Sequence, residues 1–138
     1  MIVAIAGALV LLLAGTAVVI YAKDPGPLPV DIAIAYELAW DRFDFDALWT
    51  LSGPNLRDGL DKKQFVAAKA SAYTDRPELA HLAGQVDVEV AESVGDVSVI
   101  RTRLTLRDGS VIHNEVSLLR NAFGWSVTGY VLAGTDGA

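Results

Sequence analysis

The residues that could do chemistry are few, and most fall in one stretch. Ile100 to Leu119, IRTRLTLRDGSVIHNEVSLL, gathers Arg101, Arg103, Arg107, His113 and Glu115. Such a set could bind an anion, act as an acid/base pair, or form the solvated side of a hairpin. The second histidine, His81, stands alone after Pro77. Two isolated histidines without Asp or Glu at ligand spacing do not build a metal site, and no metal is expected. The chain has no cysteine, which removes disulfides, thiolate catalysis and Cys-based zinc sites. No motif implies a cofactor. Asp44, Asp46 and Asp61 precede helical stretches, where a carboxylate satisfies free N–H groups and favours the helix dipole.

Which way the charges of the opening stretch point depends on strand register, because side chains alternate with period two. A two-residue Asp108-Gly109 loop would put Glu115 beside Leu104 and Leu106, and burying that charge costs several kcal/mol (about 2–7 for a lone polar group). A three-residue loop with a bulge, Gly109 taking the left-handed conformation, pairs Leu106 with Ser110. Leu104 then meets Ile112, Thr102 meets Asn114, and Ile100 meets Val116 on one face. Arg103 meets His113 and Arg101 meets Glu115 on the other. The second register separates apolar from charged residues and is the expected one. It makes Arg101, Arg103, His113 and Glu115 a solvated or interaction face, with no catalytic residue among them. Val97 and Val99 share the parity of the arginines, against the pattern. Thr102 and Asn114 become polar residues on the inward face. They form either a mutual hydrogen bond in the core or the polar group of a ligand pocket.

The elements that must carry these residues follow from periodicity. Asp31 is placed to cap a helix with Ile32, Ala35, Tyr36, Ala39, Trp40 and Phe43 on its apolar face and Glu37, Asp41 and Arg42 elsewhere. Asp44 or Asp46 starts a second helix, Ala47 to Leu51. A helical turn runs from Asn55 to Leu60. Asp61, with Gln64 three residues on, opens a third helix that stops before Pro77. From Gly84 the period changes to two: Val86, Val88 and Val90 read as one face of a strand. Strands Val97 to Arg107, Ser110 to Arg120 and Trp125 to Leu132 follow, giving an α+β chain of helices and then an antiparallel meander. Tyr36, Trp40, Trp49, Phe65, Tyr73 and Trp125 fall at core spacing, and Tyr36 and Trp40 are also candidates for lining a pocket.

Ahead of this domain, Met1 to Ala22 carries no charged side chain. As a helix it would span ~33 Å, enough for a bilayer core. It lacks the basic start of a signal peptide and exceeds a signal core, so an uncleaved single-span anchor is preferred to a cleaved signal. Lys23 to Val30, holding three of the five prolines, is an extended linker. The division is therefore 1–22 transmembrane helix, 23–30 linker and 31–138 domain. A literal count of Lys23 would leave the domain in the cytoplasm. The arrangement of one N-terminal span before a small acidic domain favours the extracytoplasmic side. The whole net charge of −6 lies after residue 22. It repels phosphate backbones, which excludes nucleic acid as a partner, and argues against spread-out docking on anionic lipid.

The run FDFDALWTLSGPNLRDGLDKKQF, Phe43 to Phe65, followed by strands ending in GWSVTGYVL, Gly124 to Leu132, resembles the nuclear-transport-factor-two-like superfamily. That superfamily includes SnoaL-like cyclases, ketosteroid isomerase and scytalone dehydratase, and many membrane-tethered bacterial domains. The resemblance covers nearly all of residues 31 to 138. It implies a curved four-stranded antiparallel sheet wrapped over about three helices into a cone with an internal pocket. Its enzymes place an Asp, often with a His, in that pocket, and no such pair can be carried over onto this sequence. The expectation is a non-catalytic, membrane-anchored cell-envelope domain. It would bind a protein partner, a second copy of itself, or a small apolar ligand through Thr102, Asn114, Tyr36 and Trp40. The alternative is an isomerase, dehydratase or cyclase acting in the pocket.

Overall fold

Pro29, with its fixed φ, begins the first helix, α1 (Pro29–Asp41). Asp31 caps it from inside the first turn, accepting a hydrogen bond from the Leu28 N–H at 3.3 Å. The computed structural model describes residues 26–136. The expected transmembrane helix, Met1 to Ala22, and the first part of the linker lie outside them. Among the described residues, no helix is long and apolar enough to cross a membrane.

Asp44 caps α2 (Phe45–Leu51), its carboxylate accepting from Ala47 N–H at 3.1 Å. Asp46 sits in the first turn and pairs with Lys62 at 3.1 Å. A 3-10 turn, Pro54–Leu56, stands where a longer helical turn was expected. Asp61 and Gln64 form the expected reciprocal capping box of α3 (Lys62–Ala72). That helix ends before Pro77, as anticipated.

Four strands follow: β1 (Ala83–Val94), β2 (Val97–Leu106), β3 (Val111–Asn121) and β4 (Gly124–Asp136). They form one antiparallel sheet in the order β1-β2-β3-β4. The β2–β3 register is the one the burial penalty selects: Leu104 opposes Ile112, Thr102 opposes Asn114, and Arg101 opposes Glu115. Gly109, at φ 91°, supplies the left-handed residue of the loop, and Leu106 N–H donates to Ser110 O at 2.8 Å. Val97 and Val99 lie on the outer face without any slip between β2 and β3.

Bulges bend the sheet. Gly84 and Glu89 are the extra residues in β1, and at Glu89 the pairing slips so that Val88 opposes Thr102 while Val90 opposes Arg101. Val86, Val88 and Val90 therefore do not share a face, contrary to the simple alternation, and Val90 points outward. In β4 the extra residues are Thr128 and Ala133. Each kinks the strand and adds twist, curling the sheet around the helices.

The concave face holds the core: Ile32, Ala33 and Tyr36 of α1, Leu48 and Phe65 of the other helices, and Ile100, Val116, Leu118 and Val127 of the sheet. The Asp41 carboxylate accepts from Leu82 N–H at 2.7 Å and Ala83 N–H at 2.9 Å, pinning the end of α1 to the start of β1. Ile34 and Leu38 line one cleft with Val86. One turn before Asp41, Glu37 meets Thr102, which opposes Val88, so the helix crosses the sheet in the sense opposite to β1.

Candidate functional site

The inward stripe of α1 is Ile32, Ala33, Tyr36, Glu37 and Ala39, while Ala35 is exposed. This reverses the expected placement of Glu37. Its side chain points into the concave side of the sheet and is only 1% exposed. Three strands supply its partners. Thr102 Oγ1 of β2 donates to Oε2. Asn114 Nδ2 of β3 donates to Oε2 at 3.1 Å and lies 3.3 Å from Oε1. The Tyr130 hydroxyl of β4 donates to Oε1. Asn114 Nδ2 also reaches the Tyr130 oxygen at 3.0 Å. Thr102 and Asn114 do not bond side chain to side chain, although Thr102 Oγ1 lies 3.5 Å from the Asn114 backbone oxygen. Both turn to the acid.

This cluster lies at the floor of an open cavity of about 420 Å³. Glu37, Asn114 and Tyr130 give it one polar patch, and Trp40, Phe43, Tyr73, Leu104, Ile112 and Leu132 form much of an apolar wall. Asp41 stands on the same wall, held by the two backbone donors already described. Tyr36 packs edge-on to the Tyr130 ring, centroids 5.0 Å apart, and fixes its orientation. Trp40 has its Nε1 buried without a well-formed hydrogen bond among the described residues. The cavity has the character of a small-molecule site: mostly apolar, with a few convergent polar groups.

Burial raises the Glu37 carboxyl above its ordinary value, and the bonds from Thr102, Tyr130 and Asn114 oppose that rise. Burial, then the adjacent Glu37 charge, pushes the Tyr130 hydroxyl far above its usual range, so it stays protonated. Two hydrogen-bond states follow from the donor inventory. With Glu37 ionised, Thr102, Asn114 and Tyr130 all donate to it, and the cluster is closed on itself. With Glu37 protonated, its own O–H donates to a neighbouring hydroxyl. If that neighbour is Tyr130, the Tyr130 proton is free to donate into the cavity. A neutral acid at the floor therefore opens a donor for an oxygen-bearing ligand.

The outer face carries the residues that first drew notice. Arg101 and Glu115 form an exposed pair at 3.6 Å, and Arg103 is exposed. His113 is held more firmly. Nδ1 lies 2.7 Å from Glu89 of the β1 bulge, and Nε2 lies 2.8 Å from Asp136 at the end of β4. Asp136 first, then Glu89, raise the His113 pKa above 6.5. His81 sits apart: its backbone N–H donates to Asp41 O at 2.6 Å. Among the described residues, no group of three or more His, Cys, Asp or Glu could hold a metal ion.

Sequence reasoning named Thr102, Asn114, Tyr36 and Trp40 as pocket residues; Asn114 and Trp40 line this cavity, whereas Thr102 reaches it only through Glu37 and Tyr36 lines a neighbouring cleft instead. It missed Glu37 and Tyr130. A signal for Glu37 was present: Ala33, Tyr36, Glu37 and Trp40 fall at i, i+3, i+4 and i+7, one helical face.

Solved structures share this architecture. A Campylobacter jejuni protein described as an NTF2-like transpeptidase is 16% identical, with a TM-score of 0.53, covering 75% of this chain and 99% of that one. An NTF2-like protein of unknown function from Silicibacter pomeroyi is 15% identical, with a TM-score of 0.51, covering 75% and 89%. No family model and no curated protein matches the sequence. The chain has the nuclear-transport-factor-two-like fold, a curved antiparallel sheet over three helices.

Proposed function

We propose that this domain binds a small, largely apolar molecule bearing one carbonyl or hydroxyl oxygen. Its apolar body fills the cavity, and its oxygen meets the Glu37–Asn114–Tyr130 patch. The observation that carries the reading is the buried acid at the floor of an apolar, open cavity. A domain built only to display a surface has no use for a hollow that ends on a desolvated carboxyl group. In the same reading residues 1–22 anchor the chain in a membrane, the domain lies on the extracytoplasmic side, and no cofactor or nucleic acid takes part. The outer face around Arg101, Arg103, His113 and Glu115 is the surface offered to a second copy or an envelope protein.

A second reading is catalytic, and the raised Glu37 carboxyl favours it. Desolvation that tunes an acid upward is the setting of a general acid or base. An isomerase or dehydratase reaction would then place Glu37 within reach of the substrate proton, with Tyr130 donating to its oxygen.

Native mass spectrometry of the gently extracted full chain tests the binding reading. A bound molecule of small mass is expected in the wild type and is lost in Leu106→Trp, which fills the cavity from its wall. A wild-type chain that carries nothing, and whose tryptophan fluorescence ignores a panel of apolar ketones and alcohols, would overturn it. Turnover of any panel member that Glu37→Gln abolishes, with binding retained, would establish the catalytic reading instead.

A further inference from the structure

The two ends of the sheet differ in character. At one end the β2–β3 loop is Arg107-Asp108-Gly109-Ser110, polar throughout. At the other, the β1–β2 and β3–β4 turns lie side by side and expose large apolar side chains. Val94 is 82% exposed, Val97 50%, Leu119 46% and Phe123 98%. Val94 opposes Val97, and Val97 opposes Leu119, so these three form one row across the sheet. Arg120 N–H donates to Asp96 O at 2.8 Å, and the Arg120 guanidinium meets the Asp96 carboxylate at 3.0 Å. The tips are thus tied into one unit, and that pair of charges is neutralised within it.

The chain enters the domain from this same end. α1 is antiparallel to β1, with Asp41 at Ala83, so Pro29 lies toward the Val94 end of the strand. Glu37 bonds to Thr102, which opposes Val88, and from Val88 to Val94 a strand advances ~20 Å. From Glu37 back to Pro29 the helix advances ~12 Å. The tips therefore reach roughly 8 Å beyond the start of α1, less what the curvature takes back. Six residues separate the uncharged run from α1, and six residues can span at most ~20 Å. The tips thus lie within the reach of the chain that leads to the run.

We propose that Val94, Val97, Leu119 and Phe123 form an apolar foot that enters the headgroup region of the bilayer in which residues 1–22 are held. The proposal rests on the reading of that run as a membrane anchor. The occupant is an uncharged lipid surface, since the acidic domain is repelled by anionic lipid and the Asp96–Arg120 pair leaves no net charge from those two groups. Exposed apolar side chains at loop tips insert by burying their area in the interface. The foot sets the attitude of the domain. The cavity, lined by Leu79, Leu82, Leu106 and Leu132, lies toward the far end and opens away from the lipid.

The absence of cysteine makes the test direct. Ala122→Cys, beside the intact Phe123, and Arg107→Cys, at the opposite end, each carry one environment-sensitive fluorophore. The full chain is placed in phosphatidylcholine nanodiscs with brominated acyl chains. The label at residue 122 is expected to be quenched about threefold more than the label at 107, and the added changes Val94→Ser and Phe123→Ser should erase the difference. Equal, weak quenching at both positions while the chain stays with the discs overturns the foot and leaves the anchor standing. A chain that does not travel with the discs removes the anchor and the foot together. A label at 122 shielded from water but not quenched assigns the tips to a protein neighbour and overturns the proposal.

Discussion

Glu37→Gln isolates the contribution of the buried acid. Glutamine keeps the size of the side chain and resembles its protonated form, accepting on one oxygen and donating from the other position, but cannot titrate. In the folded domain burial holds the Glu37 carboxyl above its usual 4.5. The unfolded chain therefore releases that proton first as pH rises. Between 4.5 and the raised folded value the folded state binds the extra proton, so stability falls with pH. The fall is at most about 1.4 kcal/mol per pH unit for one group, and it levels off above the folded value. Below 4.5 the contribution is fully present. With an m-value of about 1–3 kcal/mol/M, one pH unit of this fall moves the urea midpoint by roughly 0.5–1.4 M. Urea unfolding of the full chain in detergent, followed by tryptophan fluorescence from pH 4.5 to 8.5, reads it. The wild type should show the decline, and Glu37→Gln should lack it. Tyr130→Phe, which removes a donor to the ionised form, should carry the decline to higher pH. Parallel curves for wild type and Glu37→Gln would refute the reasoning, because they would mean that the three donors outweigh desolvation and the acid stays ionised.

Two other outcomes follow from the sheet. His113 is raised above 6.5 by Asp136 and Glu89, so its contribution is complete below that pH and is lost as pH rises through the folded value. His113→Gln should therefore lower the urea midpoint more at pH 6 than at pH 9, with faster hydrogen exchange at the end of β4 at the lower pH. Gly109→Val forces a β-branched residue to φ 91° and should cost about 1–3 kcal/mol in urea unfolding. Gly109→Asn should cost less, since Asn tolerates the left-handed region.

The β2–β3 register could be read from the sequence because the wrong alternative buries Glu115 among leucines. One strong local penalty was enough. The caps at Asp44 and Asp61 were legible for the same reason, each resting on residues within three positions. Glu37 was not legible. The expectation that a glutamate faces water is sound on average, and only donors from three distant strands overrule it. The bulge at Glu89 was equally hidden. Nothing in QVDVEVAE marks where alternation slips, yet the slip turns Val90 outward and frees Glu89 to meet His113. Phe123, by contrast, stood in plain view within an expected turn, and its exposure became informative only once α1 was seen to start at the same end.

The Glu37 cluster also bears on how the chain becomes a domain. Its partners lie 65, 77 and 93 residues away along the chain. Contacts of such long separation form slowly, because the loop entropy must be overcome before they reward it. During synthesis α1 and the first strands emerge well before Tyr130. Until β4 docks, the acid lacks one of its three donors, and a concave face that closed early would bury it with only Thr102 and Asn114. The last strand therefore contributes to burying a residue of the first helix, and the floor of the cavity is complete only when both ends of the domain have met.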